Sequence, residues 1–226
     1  MMQILKKTEG LEKISDFIRN NDGFTLICHV APDGDTLGSA LALYGMMKMH
    51  GKRVQIVCQD RVPQNLLFLP WSHEVLCPDK AVCEDNVIAV DCADIGRLGK
   101  AVRLFDAAKN TVSIDHHGTN GMYAMLNEVH PHCAATAEIV YELVRIFAGN
   151  ISADVATCLY VGLMTDTGSF AFGNTTADTF AVASALVRSG ANPCTSNTLV
   201  YRTVPLSRQN CLQRLFRAWI YMTAEG

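Results

Sequence analysis

The sequence predicts an α/β fold: a mostly parallel sheet with helices on both faces. Three features predict it. Short apolar runs recur, such as FTLIC at 24–28 and VIAV at 87–90, each too short for a helix. Stretches with helical spacing stand between them. The residues just after the runs are acidic or histidine, as expected where a parallel sheet carries its site at the carboxyl ends of its strands.

In chain order, Leu11, Ile14, Phe17 and Ile18 have helical spacing, and Asn20-Asn21-Asp22-Gly23 ends that helix. A buried strand follows at 24–28, then a loop at 29–35. A helix then runs through Leu41, Leu43, Met46 and Met47 to Gly51. The next strand is 54–58, completing a strand–helix–strand unit. Further strands are expected at 87–90, ending at Asp91, and at 111–114, ending at Asp115. Apolar helices are expected at 138–147 and 154–164, and another at 177–188 before the break Ser189-Gly190-Ala191-Asn192-Pro193. Leu212, Leu215, Phe216, Trp219 and Ile220 form an amphipathic stripe that needs a packing partner: its own domain, a following domain or a second copy in a homodimer.

The bulk composition narrows the function. The 226 residues are 49% hydrophobic and 18% charged, enough to bury a sizeable core. A net charge of -3 lacks the basic excess of a protein that grips long duplex nucleic acid, and favours a small anionic substrate. Nine scattered cysteines with no C-x-x-C pair read as buried free thiols in a reducing compartment. No apolar stretch is long enough to span a bilayer, so no membrane partner is expected and a cytoplasmic location is.

The chemistry sits in four segments. HVAPDGDTLGS offers one imidazole and two carboxylates, His29, Asp33 and Asp35, on a backbone that Pro32 and Gly34 allow to turn sharply. Gly38-Ser39 reads as the opening of a helix, whose free N–H groups attract an anion. Asp91 lies in VDCAD, Asp115-His116-His117 in SIDHHGTN and Asp166 in VGLMTDTGSF. Each segment alone reads as a turn, a cap or a satisfied histidine. Together they put carboxylates at the ends of four apolar elements, where an unpaired charge is costly and a shared cation pair removes the cost. Carboxylates and imidazoles converging from strand ends suit hard or borderline divalent cations.

These four motifs, in this order, resemble those of the DHH-family phosphoesterases, and the resemblance spans about 22–202. TDTGSFAFGNTT, followed by a helix and then by LVYRTVP, resembles the branch that degrades nanoRNA and 3′-phosphoadenosine 5′-phosphate (pAp). The resemblance implies two Mn2+ per chain, with Mg2+ as the alternative. His29 and Asp33 would hold one cation and Asp35, His116 and Asp166 the other, with Asp91 bridging both. Asp115 would lie behind its neighbours and orient a histidine. His117 would face the phosphate as a donor or proton carrier, so that Asp91, His116 and His117 form the catalytic set. Ser39 and Arg97 are further candidates for substrate contact, Arg97 because a guanidinium pairs well with phosphate. Asp94 stands near the second motif as a neighbour and not a ligand. The implied reaction is in-line attack of activated water on phosphorus, without a covalent intermediate.

Family members carry a second domain with a glycine-rich, histidine-containing segment, and nothing after Tyr201 contains one. The expected organisation is a DHH catalytic domain at 1–190 and, at 191–226, a linker and helix leading toward a second domain. The expected partner is a short oligonucleotide or nucleotide substrate. Two alternatives stand beside this reading: a module that holds metal and nucleotide without turnover, and an inorganic pyrophosphatase.

Overall fold

The computed structural model describes residues 9–202. The stripe at 212–220 and the segment beyond 202 lie outside them. The elements are α1 (Glu9–Asn20), β1 (Phe24–Cys28), α2 (Gly34–Met49), β2 (Val54–Val57), β3 (Val75–Leu76), β4 (Asn86–Val90), α3 (Val102–Asp106), β5 (Asn110–Asp115), β6 (Leu126–Val129), α4 (Thr136–Ala148), α5 (Ala153–Asp166), α6 (Ala177–Arg188) and α7 (Pro193–Asn197). Short 3-10 turns fill several connections, the longest at Ile95–Ala101.

Six strands pair in the order β3-β2-β1-β4-β5-β6, every pair parallel. Parallel strands buried on both faces need continuous apolar runs, and β1 and β4 are buried at every position. Alternate residues serve two cores. Phe24, Leu26, Cys28, Ile88, Val90, Val112 and Ile114 join the large core under α1, α2, α4, α5 and α6. Ile27, Val57, Val87 and Ala89 face the other way, onto Leu98, Ala101, Leu104 and Phe105. Helical structure therefore covers both faces, thickly on one and by a single short segment on the other.

Two packing facts position the site. The strand order reverses direction at the β1/β4 boundary, and a crevice outside the carboxyl ends at such a switch point is where open α/β sheets bind ligands. Register places Cys28 beside Val90 and Val90 beside Ile114, so His29, Asp91 and Asp115 leave three adjacent strands at one level. The buried helices α2 and α5 pack closely because Gly38 has no side chain, and a Cβ there would fall 2.4 Å from the Cys158 carbonyl oxygen. That contact brings the start of α2 and the end of α5 together over the same strand ends.

Candidate metal centre

Asp33 is the N-cap of α2, and its Oδ1 accepts from the N–H groups of Asp35 and Thr36 at 3.0 and 3.1 Å. Its Oδ2 is left to face His29 Nε2 at 3.5 Å. The helix thus begins at Gly34, four residues before the expected opening at Gly38-Ser39. Ser39 is fully buried in the second turn, and its hydroxyl donates to Asp35 Oδ1 at 3.1 Å. The expectation that Ser39 touches substrate is corrected accordingly: its hydroxyl orients a carboxylate.

Asp91 follows β4 with φ +60°, a left-handed conformation uncommon outside glycine, asparagine and aspartate. Its N–H remains tied to the Ile114 carbonyl at 2.9 Å. The buried carboxylate turns its two oxygens to two groups. Oδ2 lies 3.6 Å from His29 Nε2, whereas Oδ1 lies 3.7 Å from His116 Nε2 and also from His117 Nδ1. His116 Nε2 in turn stands 3.2 Å from Asp166 Oδ2. The potential ligand atoms gather as His29, Asp33 and Asp91 on one side, Asp35, His116 and Asp166 on the other, and Asp91, His116 and His117 between them, each set within 4.8 Å. All six residues singled out in the sequence as ligands converge.

The ring nitrogens are sorted by their outer partners. His29 Nδ1 lies 2.7 Å from the Val30 carbonyl and His116 Nδ1 lies 3.2 Å from the Cys133 carbonyl. A proton on Nδ1 donating to the Cys133 carbonyl leaves the His116 Nε2 lone pair facing the carboxylates, the tautomer a ligand histidine needs, whereas His29 Nδ1 meets both the Val30 carbonyl and the Arg97 guanidinium, a donor. His117 differs: its Nδ1 donates to Asp115 Oδ1 at 2.7 Å, and its side chain is one-third exposed. Asp115 is itself fixed by Asn120, whose amide donates to Oδ2 at 2.7 Å.

Like charges crowd here. Burial, then Asp91, Asp166 and Asp33, push the Asp35 carboxyl well above its usual range. Burial, with Asp91 and Asp33 against the opposing pull of His116, raises Asp166 to about 6. Burial works against a charged His29, but hydrogen bonds to Asp33 and Asp91 carry it up to about 9. The Asp115 hydrogen bond raises His117, and the same contact holds Asp115 down against its burial. Four carboxylates and two imidazole Nε2 atoms in one cluster form a donor set that divalent cations fit, because a cation relieves the repulsion and takes the place of the His29 proton.

Several positioning groups were not singled out from the motifs, and those of α4 lie outside them. The N–H groups of Thr136 and Ala137, opening α4, donate to Asp35 Oδ2 and Oδ1 at 2.6 and 2.9 Å. The Thr136 hydroxyl donates to Asp91 Oδ1 at 2.8 Å. The start of α4 therefore holds two carboxylates at once, helped by the positive end of its dipole. Thr36 supports His29 by accepting its backbone N–H at 3.3 Å and donating to the Val90 carbonyl at 2.9 Å. Arg97, a candidate phosphate contact, lies at the edge of the cluster with Nη2 3.0 Å from His29 Nδ1. Asp94 stays outside it, exposed, accepting from the Gly96 N–H at 2.7 Å.

An all-parallel α/β domain with a carboxylate–imidazole cluster at its switch point defines a class of protein whose strand ends could hold metal cations. The chain belongs to the DHH family, whose N-terminal domain model matches residues 24–163. It is similar to the bifunctional oligoribonuclease and PAP phosphatase NrnA of Thermus thermophilus, 36% identical over 185 residues, covering 80% of this chain and 55% of that protein. It is similar also to the protein of the same description from Bacillus subtilis, 28% identical over 186 residues, covering 80% of this chain and 56% of the relative. The chain thus spans a little over half the length of these curated relatives. Among solved structures, an exopolyphosphatase-related protein from Bacteroides fragilis superposes with a TM-score of 0.86 at 25% identity, covering 94% of this chain and 67% of the other.

Proposed function

We propose that the chain carries the catalytic half of a divalent-metal-dependent phosphoesterase acting on short oligoribonucleotides and pAp. The observation that carries this reading is Asp91, whose two oxygens face two separate sets of ligand atoms. A binding module needs one cation to hold a phosphate; a carboxylate shared between two sets suits a pair. The relatives named for oligoribonuclease and PAP phosphatase activity support the substrate class.

In this reading His29 and Asp33 hold one cation, Asp35, His116 and Asp166 hold the other, and Asp91 serves both. Mn2+ is the first choice, two per chain, with Mg2+ the alternative, since mixed carboxylate and imidazole ligands suit manganese. When bound, the cations supply Lewis-acid polarisation of the phosphoryl group and activation of water. The remaining work falls to side chains. Ser39 and the first N–H groups of α4 fix Asp35, and Thr136 fixes Asp91. His117, with Nδ1 on Asp115, holds a proton at Nε2 for a phosphoryl or leaving oxygen. Arg97 adds positive charge at the rim.

The catalytic unit is assigned to 1–190, and the segment from 191 onward to a linker. The eight described cysteines are all free, which supports a reducing, cytoplasmic setting. Among the described residues no helix is long and apolar enough to cross a membrane. The test compares turnover of a diribonucleotide, pAp and pyrophosphate with Mn2+ and with a chelator. The first two should be hydrolysed only with metal. Metal binding without turnover of any substrate would instead identify a binding module, and preferred release of phosphate from pyrophosphate would identify a pyrophosphatase.

A further inference from the structure

The loop after Asp166 carries an aromatic ring that the cluster does not use. Gly168, Ser169 and Phe170 take successive φ values of 55°, 58° and 67°, folding the chain back over the end of α5. Two of these residues carry a β-carbon, for which the left-handed region is unfavourable, so the surroundings must enforce the turn. They do so through hydrogen bonds. The N–H groups of Ala171 and Phe172 donate to the Thr167 carbonyl at 2.9 and 3.0 Å. The Asn174 amide donates to the carbonyls of Asp166 and Ala134 at 3.1 and 3.0 Å. One end of the loop is therefore anchored to the residue that offers a carboxylate to the cluster. The other is anchored to the segment entering α4, which holds Asp35 and Asp91.

Phe172 sits in this braced loop with its ring against Gly168: a Cβ on Gly168 would fall 2.5 Å from the ring. Glycine is thus the residue that makes room for the ring, two positions beyond Asp166. Despite that backing, Phe172 is 59% exposed. The two neighbouring phenylalanines are placed differently. Phe170 packs on the core beside Tyr160, and Phe180 stacks on Phe170 at 5.5 Å between centroids. An exposed apolar residue is ordinary by itself. Phe172 is set apart by a braced and strained support, a backing glycine and a place in the loop that leaves Asp166 and is tied back to the Asp166 carbonyl through Asn174.

We infer that the Phe172 ring is a stacking platform for a nucleobase whose phosphate sits at the metal cluster. The inference rests on the phosphoesterase reading for that phosphate, and assigns the substrate class: phosphates carrying a base next to the reacting group, in preference to base-free phosphates and pyrophosphate. Every base offers a π face, so the platform tolerates any sequence and favours the larger purine surface. It also places part of substrate recognition within the DHH domain itself.

The test is equilibrium binding of adenosine 5′-monophosphate and of ribose 5-phosphate, with Mn2+ present, to wild type, Phe172→Ala, Phe172→Leu, Phe172→Trp and Phe180→Ala. Base–aromatic stacking predicts that Phe172→Ala and Phe172→Leu weaken the nucleotide by about 5- to 150-fold and leave ribose 5-phosphate within about twofold. Phe180→Ala should leave both unchanged. Phe172→Trp should keep nucleotide affinity and add tryptophan emission that the nucleotide quenches and ribose 5-phosphate does not. Equal weakening of both ligands in the Ala and Leu variants, unchanged nucleotide affinity in them, or no nucleotide binding by wild type would each overturn the platform. Hydrolysis assays on the same proteins separate this from the catalytic reading. Ring-dependent nucleotide binding without turnover would refute catalysis and sustain the platform, and turnover with ring-independent binding would refute the platform alone.

Discussion

Thr136→Val isolates the contribution of α4 to the cluster. Valine keeps the shape of threonine and removes only the hydroxyl that donates to Asp91 Oδ1 at 2.8 Å. The backbone N–H groups of Thr136 and Ala137 remain on Asp35. A buried hydrogen bond to a charged group contributes about 1.5–3 kcal/mol. At about 1.4 kcal/mol per factor of ten, that corresponds to roughly 10- to 150-fold, in the range seen when groups behind metal ligands are removed. Asp91 must be charged and correctly turned to bind a cation, and the hydroxyl favours both. Mn2+ affinity, measured by calorimetric titration, should therefore fall by about 10- to 100-fold with two ions still bound at saturation. Thr136→Ser, which keeps the hydroxyl, should recover most of the loss. Thermal unfolding in chelator controls for general destabilisation. A Val variant with wild-type Mn2+ affinity would refute the argument, as would a Ser variant that fails as badly as Val.

Asp91→Ala should abolish metal-dependent turnover and lower bound manganese at both sites in elemental analysis, while Asp94→Ala, which loses only an exposed turn contact, should bind two ions normally. Gly38→Ala should drive a Cβ to within 2.4 Å of the Cys158 carbonyl and force α2 from α5. Thermal denaturation should read a loss of about 1–3 kcal/mol or more, the usual cost of overpacking. In chelator, stability should fall as pH rises from about 4 to 9. The Asp166 carboxyl, at about 6 folded against 3.8 unfolded, favours the folded state most at low pH and loses that contribution as pH rises from about 4 through 6. His29, at about 9 folded against 6.5, contributes fully below 6.5 and loses its contribution as pH climbs through 9, on the order of 3 kcal/mol. Saturating Mn2+ should reverse the trend, since ligands bind deprotonated. A chelated protein whose melting temperature rises between pH 6 and 9 would contradict this assignment of charges.

The legible parts of the fold are those where burial leaves a pattern along the chain. β1, β2, β4 and β5 are central or nearly so, and their apolar runs announce them. β3 has two residues, and β6 reads Leu126-Asn127-Glu128-Val129; both lie at sheet edges, where one side needs no partner and the apolar run is lost. α7 is five residues, PCTSN, with no apolar period to detect. The start of α2 was displaced for a related reason. Asp33 is both cap and prospective ligand, and a loop that looks built for chemistry hides a helix already begun at Gly34.

The same logic divides the site. Residues that would touch cations occur in short strings at element ends, so they are readable as clusters. Those that hold them in place come from far away in the chain. Thr136 reaches Asp35 and Asp91 across 101 and 45 residues of sequence, and Cys133 meets His116 through a carbonyl that any residue possesses. No residue type encodes a backbone N–H or C=O. What converts four scattered acidic segments into one cluster is the α2–α5 contact at Gly38 and the entry of α4 over the strand ends. The glycine reads locally as mere flexibility, and the α4 residues read as an ordinary helix start. The burial that makes the fold stable also drives carboxylates together against their repulsion, and the N–H groups of α4 offset part of that cost for Asp35 alone. Asp33 Oδ1 is met by the first N–H groups of α2 and Asp91 Oδ1 by the Thr136 hydroxyl, so the contacts that would tune metal affinity are the ones that hold the helix starts in place.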